Sequence, residues 1–392
     1  MAATQNNQID VSFLKTCING INALCGIGIL SIPFALSSGG WLSLILLLII
    51  AVSACFTALL MRRCMDSNPL IMTYTDIAHH AFGPKGRLIA AVFIFLELYL
   101  VATGFLILEG DNLHKLSPQF ALKVRDFRVE GKNAFVLIAG LMILPSMWLN
   151  NLGVLSYISA CGVVSSIVIV VCVFCVGATK GVGFHGKGKL IDFGGMPTAL
   201  SLYTFCYGAH GVFPPIYTSM KRKNQFSKVV LISFIVCTLT YLAMAILGYL
   251  IYGQNVQSQV TLNLPANNTS AKVAIYTILA GPIAKYALVI TPIASAIESK
   301  LPDKFQDSKL IGILIRLVLL VSTVICALKF PSFQSVTSLS GALLIAFVSF
   351  LFPCLCYLKI FGVHKSLGFE LASIVGVIIM AILVGVIGTY SS

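Results

Sequence analysis

Charge is what this 392-residue chain has least of. Charged residues make up 10% of it, where a soluble domain carries about 25%. So little charge cannot cover a water-facing surface over this length, which excludes a soluble globular fold and makes the bilayer the solvent. Acidic residues number only 13, too scattered for the paired carboxylates of a hydrolase. His79-His80 has no acidic partner in a metal-binding register, so no metal site and no zinc-protease chemistry is expected. A nucleophile elbow is missing, and with it the last common enzyme constellation; an enzyme is not expected. Residues 1–12 are polar, and the first apolar stretch runs straight into a full-length span, which is not the pattern of a cleavable leader.

What is present needs sorting from what it imitates. The formal net charge is +13, yet the Lys and Arg residues sit in short loops between apolar runs, as orientation signals do. No basic stripe interleaved with aromatics tracks a phosphate backbone, so no nucleic-acid partner is expected. The 12 cysteines fall inside or at the ends of apolar spans and read as small hydrophobes rather than a disulfide framework. Cys172-Val173-Phe174-Cys175 is a CxxC by pattern only, with apolar neighbours and no second pair. Gly181 to Lys187 imitates a phosphate loop, but Gly188 stands where Ser or Thr would hold magnesium and no strand precedes it.

A membrane span needs about 20 apolar residues. Eleven segments meet that rule, at 13–36, 41–62, 88–110, 133–150, 154–178, 194–215, 228–252, 271–296, 309–329, 333–358 and 369–390. A tight turn at Asn150 to Gly153 separates the fourth from the fifth. The loops on the N-terminal side, with the dense cluster Lys221-Arg222-Lys223, are the more basic, which predicts a cytoplasmic N-terminus. Glycosylation sequons at Asn267 and Asn268 then fall outside the cytosol. The expected domains are a cytoplasmic stub (1–12), two five-helix bundles (13–178 and 194–358) and an eleventh helix (369–390). Five spans per bundle is odd, so the second enters the membrane from the opposite side and the two form an inverted repeat.

Each bundle opens on a segment marked for breakage. The first runs Asn22 to Pro33 and carries Cys25, Gly26, Ile27 and Gly28; the second runs Tyr207-Gly208-Ala209-His210-Gly211-Val212-Phe213-Pro214-Pro215. An unpaired backbone N–H or C=O in hydrocarbon costs several kcal/mol, so a broken membrane helix is tolerated only where the freed groups line a cavity or hold a solute. Paired breaks in two repeats point to the midplane site of a secondary transporter. N–H groups after Gly26 suit a carboxylate, and carbonyls from Asn22 to Cys25 suit an ammonium or a coupling cation. The plainer reading makes the glycines packing residues. Tyr203, Thr204 and Tyr207 supply polar handles at the second break. Ile27, Cys25 and Tyr207 give a neutral, roomy lining. His210 either gates a proton or is a satisfied core histidine. Lys285, deep in the eighth segment, is a functional candidate by the expense of an intramembrane charge, with a place between spans one and eight. Glu97, mid-span in the third segment, is a structural acid, the partner of a base or part of a proton path. Arg316 is expected to snorkel, and Glu109 and Asp111 to be solvated at a span end.

Gly26 to Ala35, Tyr207 to Pro214, and Lys285-Tyr286-Ala287-Leu288 with Thr291-Pro292 resemble the amino acid/auxin permease family, over about residues 10–390, and most closely its plant vacuolar branch. That resemblance implies an all-α, leucine-transporter type 5+5 inverted repeat plus one helix, and proton-linked movement of neutral amino acids across a vacuolar membrane. Carried over, the stretches Asn22–Gly28 and Tyr203–His210 flank the substrate, with the proton as coupling ion and no cofactor. A sodium-coupled carrier and an amino acid sensor with little transport are the rivals; side-chain preference, symport or antiport, and oligomeric state stay open.

Overall fold

Apolar runs in hydrocarbon must close their own backbone ladders, and helix is the result. The chain is described here from a computed structural model, over residues 11–124, 127–148, 155–179, 181–185, 188–265, 268–302, 308–362 and 368–391. Most of the N-terminal stub, the turn at Asn150 to Gly153, the sequon residue Asn267 and the Gly186-Lys187 pair lie outside the described residues. Broken helices come first in each half: α1 (Phe13–Leu24) with α2 (Ile32–Gly39), and later α7 (Met196–Cys206) with α8 (Phe213–Thr218). Between them lie α3 (Ser43–Asp66), α4 (Tyr74–Leu116), α5 (Lys132–Ile143) and α6 (Leu155–Gly177). After them come α9 (Phe226–Tyr252), α10 (Thr269–Glu298), α11 (Lys309–Lys329), α12 (Phe333–Phe361) and α13 (Phe369–Ser391). A two-stranded antiparallel hairpin, β1 (Ala121–Val124) and β2 (Phe127–Glu130), follows α4 with Ala121 opposite Glu130.

Eight helices among the described residues are long and apolar enough to cross a membrane. The other three expected spans are the broken pairs α1–α2 and α7–α8, and α5, which continues into a 3-10 turn, Leu144–Trp148. Local chemistry sets several ends. Thr73 and Asp76 form a reciprocal capping box at the start of α4. Gly83, at φ 67°, then bends the chain into Pro84. The Asn268 side chain accepts the Ser270 N–H and caps α10, and α12 carries a π-helical stretch, Ser340–Leu351.

Reciprocal backbone pairing ties the two halves. Val11, just before α1, donates to Ser219 O beyond α8 at 2.9 Å and accepts from Lys221 N. Asp192, in the loop before α7, donates to Gly39 O at the end of α2 at 3.0 Å, while Trp41 N donates to Lys189 O. The start of each broken helix is thus fastened to the end of the other, the exchange a two-fold relation between the halves demands. Lys189 steadies that second tie through Asp192 at 2.7 Å, and its hydrogen bond holds the Asp192 carboxyl below the usual carboxylate range. α2 packs on α7 and α9, and α1 on α6 and α9. Five fully buried tyrosines, Tyr203, Tyr207, Tyr241, Tyr249 and Tyr286, sit at the centre, each hydroxyl in a hydrogen bond, as a polar group away from water requires.

Candidate functional site

The chain unwinds where both glycine-marked segments lie. At the first break Cys25 leaves the helix at φ −72°, ψ 67° and Gly26 follows at φ −87°, ψ −157°. A single 3-10 turn, Ile27–Leu30, then leads through Ser31 into α2. At the second break Tyr207 and Ala209 leave helical geometry, and the turn His210–Val212 leads into α8. Ile27 and Gly28 open the first turn, so their N–H groups have no partner inside it.

Tyr241 joins the two breaks. Its hydroxyl, carried by α9, lies 2.6 Å from Leu24 O and 3.0 Å from Cys206 O, the last helical carbonyls before each gap. One hydroxyl proton cannot satisfy two carbonyls at full strength; Leu24 O also accepts the Gly26 N–H at 2.7 Å, so the acceptor capacity left is at Cys206 O, where α7 ends. Beside it, Cys25 Sγ lies 3.1 Å from Cys237 Sγ of α9, which turns the Cys25 side chain away from the gap. Sequence reading missed Tyr241; the signal was present as a tyrosine mid-span, whose hydroxyl must find a partner in hydrocarbon.

The glycines divide. A Cβ on Gly28 would lie 2.8 Å from Cys206 Sγ, and one on Gly208 would overlap the Ile345 side chain. At these two positions a side chain would collide with a neighbouring helix. A Cβ on Gly26 would meet nothing nearer than Leu24 O at 4.0 Å, and one on Gly211 only Ile94 at 3.9 Å. Those two have room for a methyl group.

Lys285 and Asn22, expected separately, are brought together. Lys285 Nζ of α10 donates to Asn22 Oδ1 of α1 at 2.8 Å, one turn before the first break. A third residue completes the junction: a Cβ on Gly162 of α6 would overlap Asn22 Oδ1 and stand 3.1 Å from Lys285 Nζ. Only a hydrogen at that position lets α6 close against the pair.

The remaining candidates scatter. Tyr203 faces α3, where its hydroxyl lies 2.9 Å from Ser43 Oγ; Ser43 donates to Gly40 O, so the tyrosine is the donor. Tyr207 reaches Thr238 Oγ1 of α9 at 2.9 Å. Ile27 packs toward Gly104 of α4. His210 is fully buried against α3, its Nε2 lying 2.9 Å from Thr57 Oγ1 and 3.2 Å from Ala54 O. Thr57 spends its own proton on the Ser53 and Ala54 carbonyls, so Nε2 carries the hydrogen and the ring acts as a clasp between α3 and the second break. Glu97 is buried, with no hydrogen bond or ion pair to another described residue. Arg316 bends back toward the start of α11, donating to Gly312 O at 2.9 Å and pairing with Glu298 at the end of α10 at 2.7 Å, the direction a snorkelling arginine takes. One expectation is corrected. Glu109 is 1% exposed, because α4 and α5 pack over the end that was expected to be wet.

Polar ties close each end of the bundle. On the Val11 face, Asp66 of α3 is held by Arg62 at 3.1 Å and by the Tyr217 hydroxyl of α8. On the opposite face, Lys115 of α4 donates to Thr261 O and Leu264 O, and Asn112 donates to Gln259 Oε1 at 2.7 Å.

Comparison with known proteins decides the family. Residues 10–392 match the family described as transmembrane amino acid transporter protein. The chain belongs to that family. Amino acid transporter AVT1I of Arabidopsis thaliana is 53% identical over 379 residues, 97% of this chain and 94% of that protein. AVT1J of the same plant is 50% identical over 388 residues, 99% of this chain and 92% of that protein. Among solved structures, MhsT in complex with L-phenylalanine superposes with a TM-score of 0.60 at 10% identity, over 95% of this chain and 98% of that one. A sodium-coupled sialic acid symporter does so with a TM-score of 0.55 at 12% identity, over 96% and 87%. The fold of this amino acid transporter is therefore the leucine-transporter type inverted repeat, in an integral membrane protein and not an enzyme.

Proposed function

We propose that this transporter moves neutral amino acids by alternating access, with a proton as the coupling ion. One observation carries the reading: the Lys285 ammonium bonded to Asn22 at 2.8 Å, one turn from a break whose glycine has room for a methyl group beside it. The breaks supply main-chain donors at Ile27 and Gly28 for a carboxylate, and a half-satisfied carbonyl at Cys206 for an ammonium group. A zwitterion uses both, and the apolar surroundings favour an uncharged side chain. Lysine is a titratable cation, so one proton adds or removes the charge at this junction. Two monovalent cations a few ångström apart repel strongly in a low dielectric, which disfavours a sodium ion beside a charged Lys285. The tie at Lys115, between α4 and the loop after α9, is a gate opened as α1, α2, α3 and the α7–α9 segment rock against the rest, while the tie at Asp66 keeps α3 and α8 together within the moving group.

The N-terminus and the Lys221-Arg222-Lys223 cluster share one face through the Val11 pairing, which supports a cytosolic assignment for that face. The sequence resemblance supports a vacuolar membrane, and imaging of a tagged chain tests it. Uptake into proteoliposomes tests the coupling. A labelled neutral amino acid accumulates when a pH gradient is imposed, in sodium-free buffer. Uptake that ignores the gradient and needs sodium overturns the proton reading; saturable binding without counterflow makes the chain a sensor.

A further inference from the structure

An open pocket lies on the face of the hairpin, away from the breaks. It holds about 420 Å³ and is lined by Asp111, His114, Lys115, Lys132, Gln257 and Leu262. That volume lies in the range of small-molecule sites, about 300–1,000 Å³. Its donors are not used up. Lys115 Nζ gives two of its three hydrogens to Thr261 O and Leu264 O, which leaves one. Lys132 Nζ gives one to Pro331 O at 2.9 Å, which leaves two. Asp111 accepts from Gln259 Nε2 through Oδ2 at 2.9 Å, and its other oxygen has no partner among the described residues. The buried Nδ1 of His114 is also without one among them. The cavity therefore offers cationic donors and one anionic acceptor, the complement of a zwitterion's two ends.

Position adds to chemistry. Asp111 lies seven residues along α4 from Gly104, where Ile27 of the first break packs, a rise of about 10 Å at 1.5 Å per residue. The loop Val256–Leu264, fastened by Lys115 and Asn112, stands over the same wall. A solute resting here sits one step outside the breaks, under the strap that must lift to admit it.

We propose that this cavity is an outer subsite for amino acid zwitterions. The carboxylate lies against the Lys132 and Lys115 ammonium groups and the α-ammonium against Asp111. The subsite rests on the amino acid reading of the transporter. It loads or receives cargo on the hairpin face only, so its loss is felt from one side of the membrane.

The test is sided uptake in proteoliposomes of fixed orientation, using the best transported of labelled L-alanine, L-leucine and L-phenylalanine. Lys132→Gln and Asp111→Asn each raise the apparent KM from the hairpin face about fivefold, the loss of one exposed charge-assisted contact. The KM from the Val11 face and the maximal rate of entry from the hairpin face stay at native values, the maximal rate of release onto the hairpin face falls by the same factor, as the unchanged overall equilibrium requires, and Lys132→Arg restores the hairpin-face KM. Thermal unfolding of each variant reports the fold. Variants with native KM from both faces overturn the subsite while native transport leaves the central site standing. Equal KM changes from both faces, or a lowered melting temperature that accounts for the loss, make these residues structural and overturn it as well. A native chain that moves none of the three amino acids removes the functional reading, and the subsite with it.

Discussion

The two breaks are built from the same residue types, yet they are fixed in place differently. The second is clamped on three sides: His210 to α3 through Thr57 and Ala54, Tyr207 to α9 through Thr238, and Gly208 onto Ile345 of the π-helical stretch. The first is held by Cys25 against Cys237, by Tyr241 at Leu24 O and by Gly28 against Cys206. It differs at Gly26, which has room beside it, and at Asn22, the polar side chain nearest its helical end, which is bonded by a lysine from another helix. The contrast assigns different work to halves that topology makes equivalent. One break is an anchor that fixes the geometry of α7 and α8; the other, on the proposed function, meets the solute and the coupling charge.

The largest expected effect comes from removing that charge. Lys285→Met lowers gradient-driven uptake about tenfold or more, since a hydrogen bond to a charged group is worth about 1.5–3 kcal/mol and each 1.4 is a factor of ten. Counterflow exchange, which needs no gradient, is affected less. Gly162→Ala attacks the same bond without touching either partner. The added methyl displaces Asn22 from Lys285 and lowers driven uptake about fivefold, while a Gly→Ala change inside α6 favours the helix by itself. Native uptake in both variants would erase the contrast between the breaks.

A paired substitution at the first break separates packing from recognition. Gly28→Ala forces a methyl against Cys206 Sγ and lowers stability by about 1–3 kcal/mol, seen in the melting temperature. Gly26→Ala leaves the melting temperature alone and raises KM about threefold, because its methyl enters the space meant for the solute. The smallest effect falls on the anchor. His210→Gln costs about 1 kcal/mol of stability, and the pH profile of uptake keeps its native midpoint and shape. A shifted midpoint would make His210 a proton carrier and the two breaks functionally alike.

The broad plan was legible because hydrocarbon enforces it. Apolar runs of span length had to become helices, and glycine with proline at matching places in two halves had to mark the breaks. Lys285 and Asn22 stood out by expense and position, but their bond joins residues 263 apart in sequence, a distance no local pattern spans. Gly26 and Gly28 looked alike in the sequence. What divides them is Cys206, which approaches one and not the other, and only tertiary packing decides that. His210 read either as a proton gate, because its ring titrates near neutrality in water, or as a satisfied core histidine; Thr57 and Ala54 beside its Nε2 supply the partners of the second reading. Tyr241 was passed over among other mid-span aromatics, since its hydroxyl gained meaning only when two carbonyls from separate helices met it. The reciprocal ties at Val11 and Asp192 lie in polar loops with no periodicity to read.

The most direct measurement is a density map of the transporter with a neutral amino acid bound. The account predicts the carboxylate within hydrogen-bond distance of the Ile27 and Gly28 N–H groups, the ammonium against Cys206 O, and Lys285 still reaching Asn22. A ligand seated against side chains elsewhere, with α1 and α2 joined into one continuous helix, would contradict it.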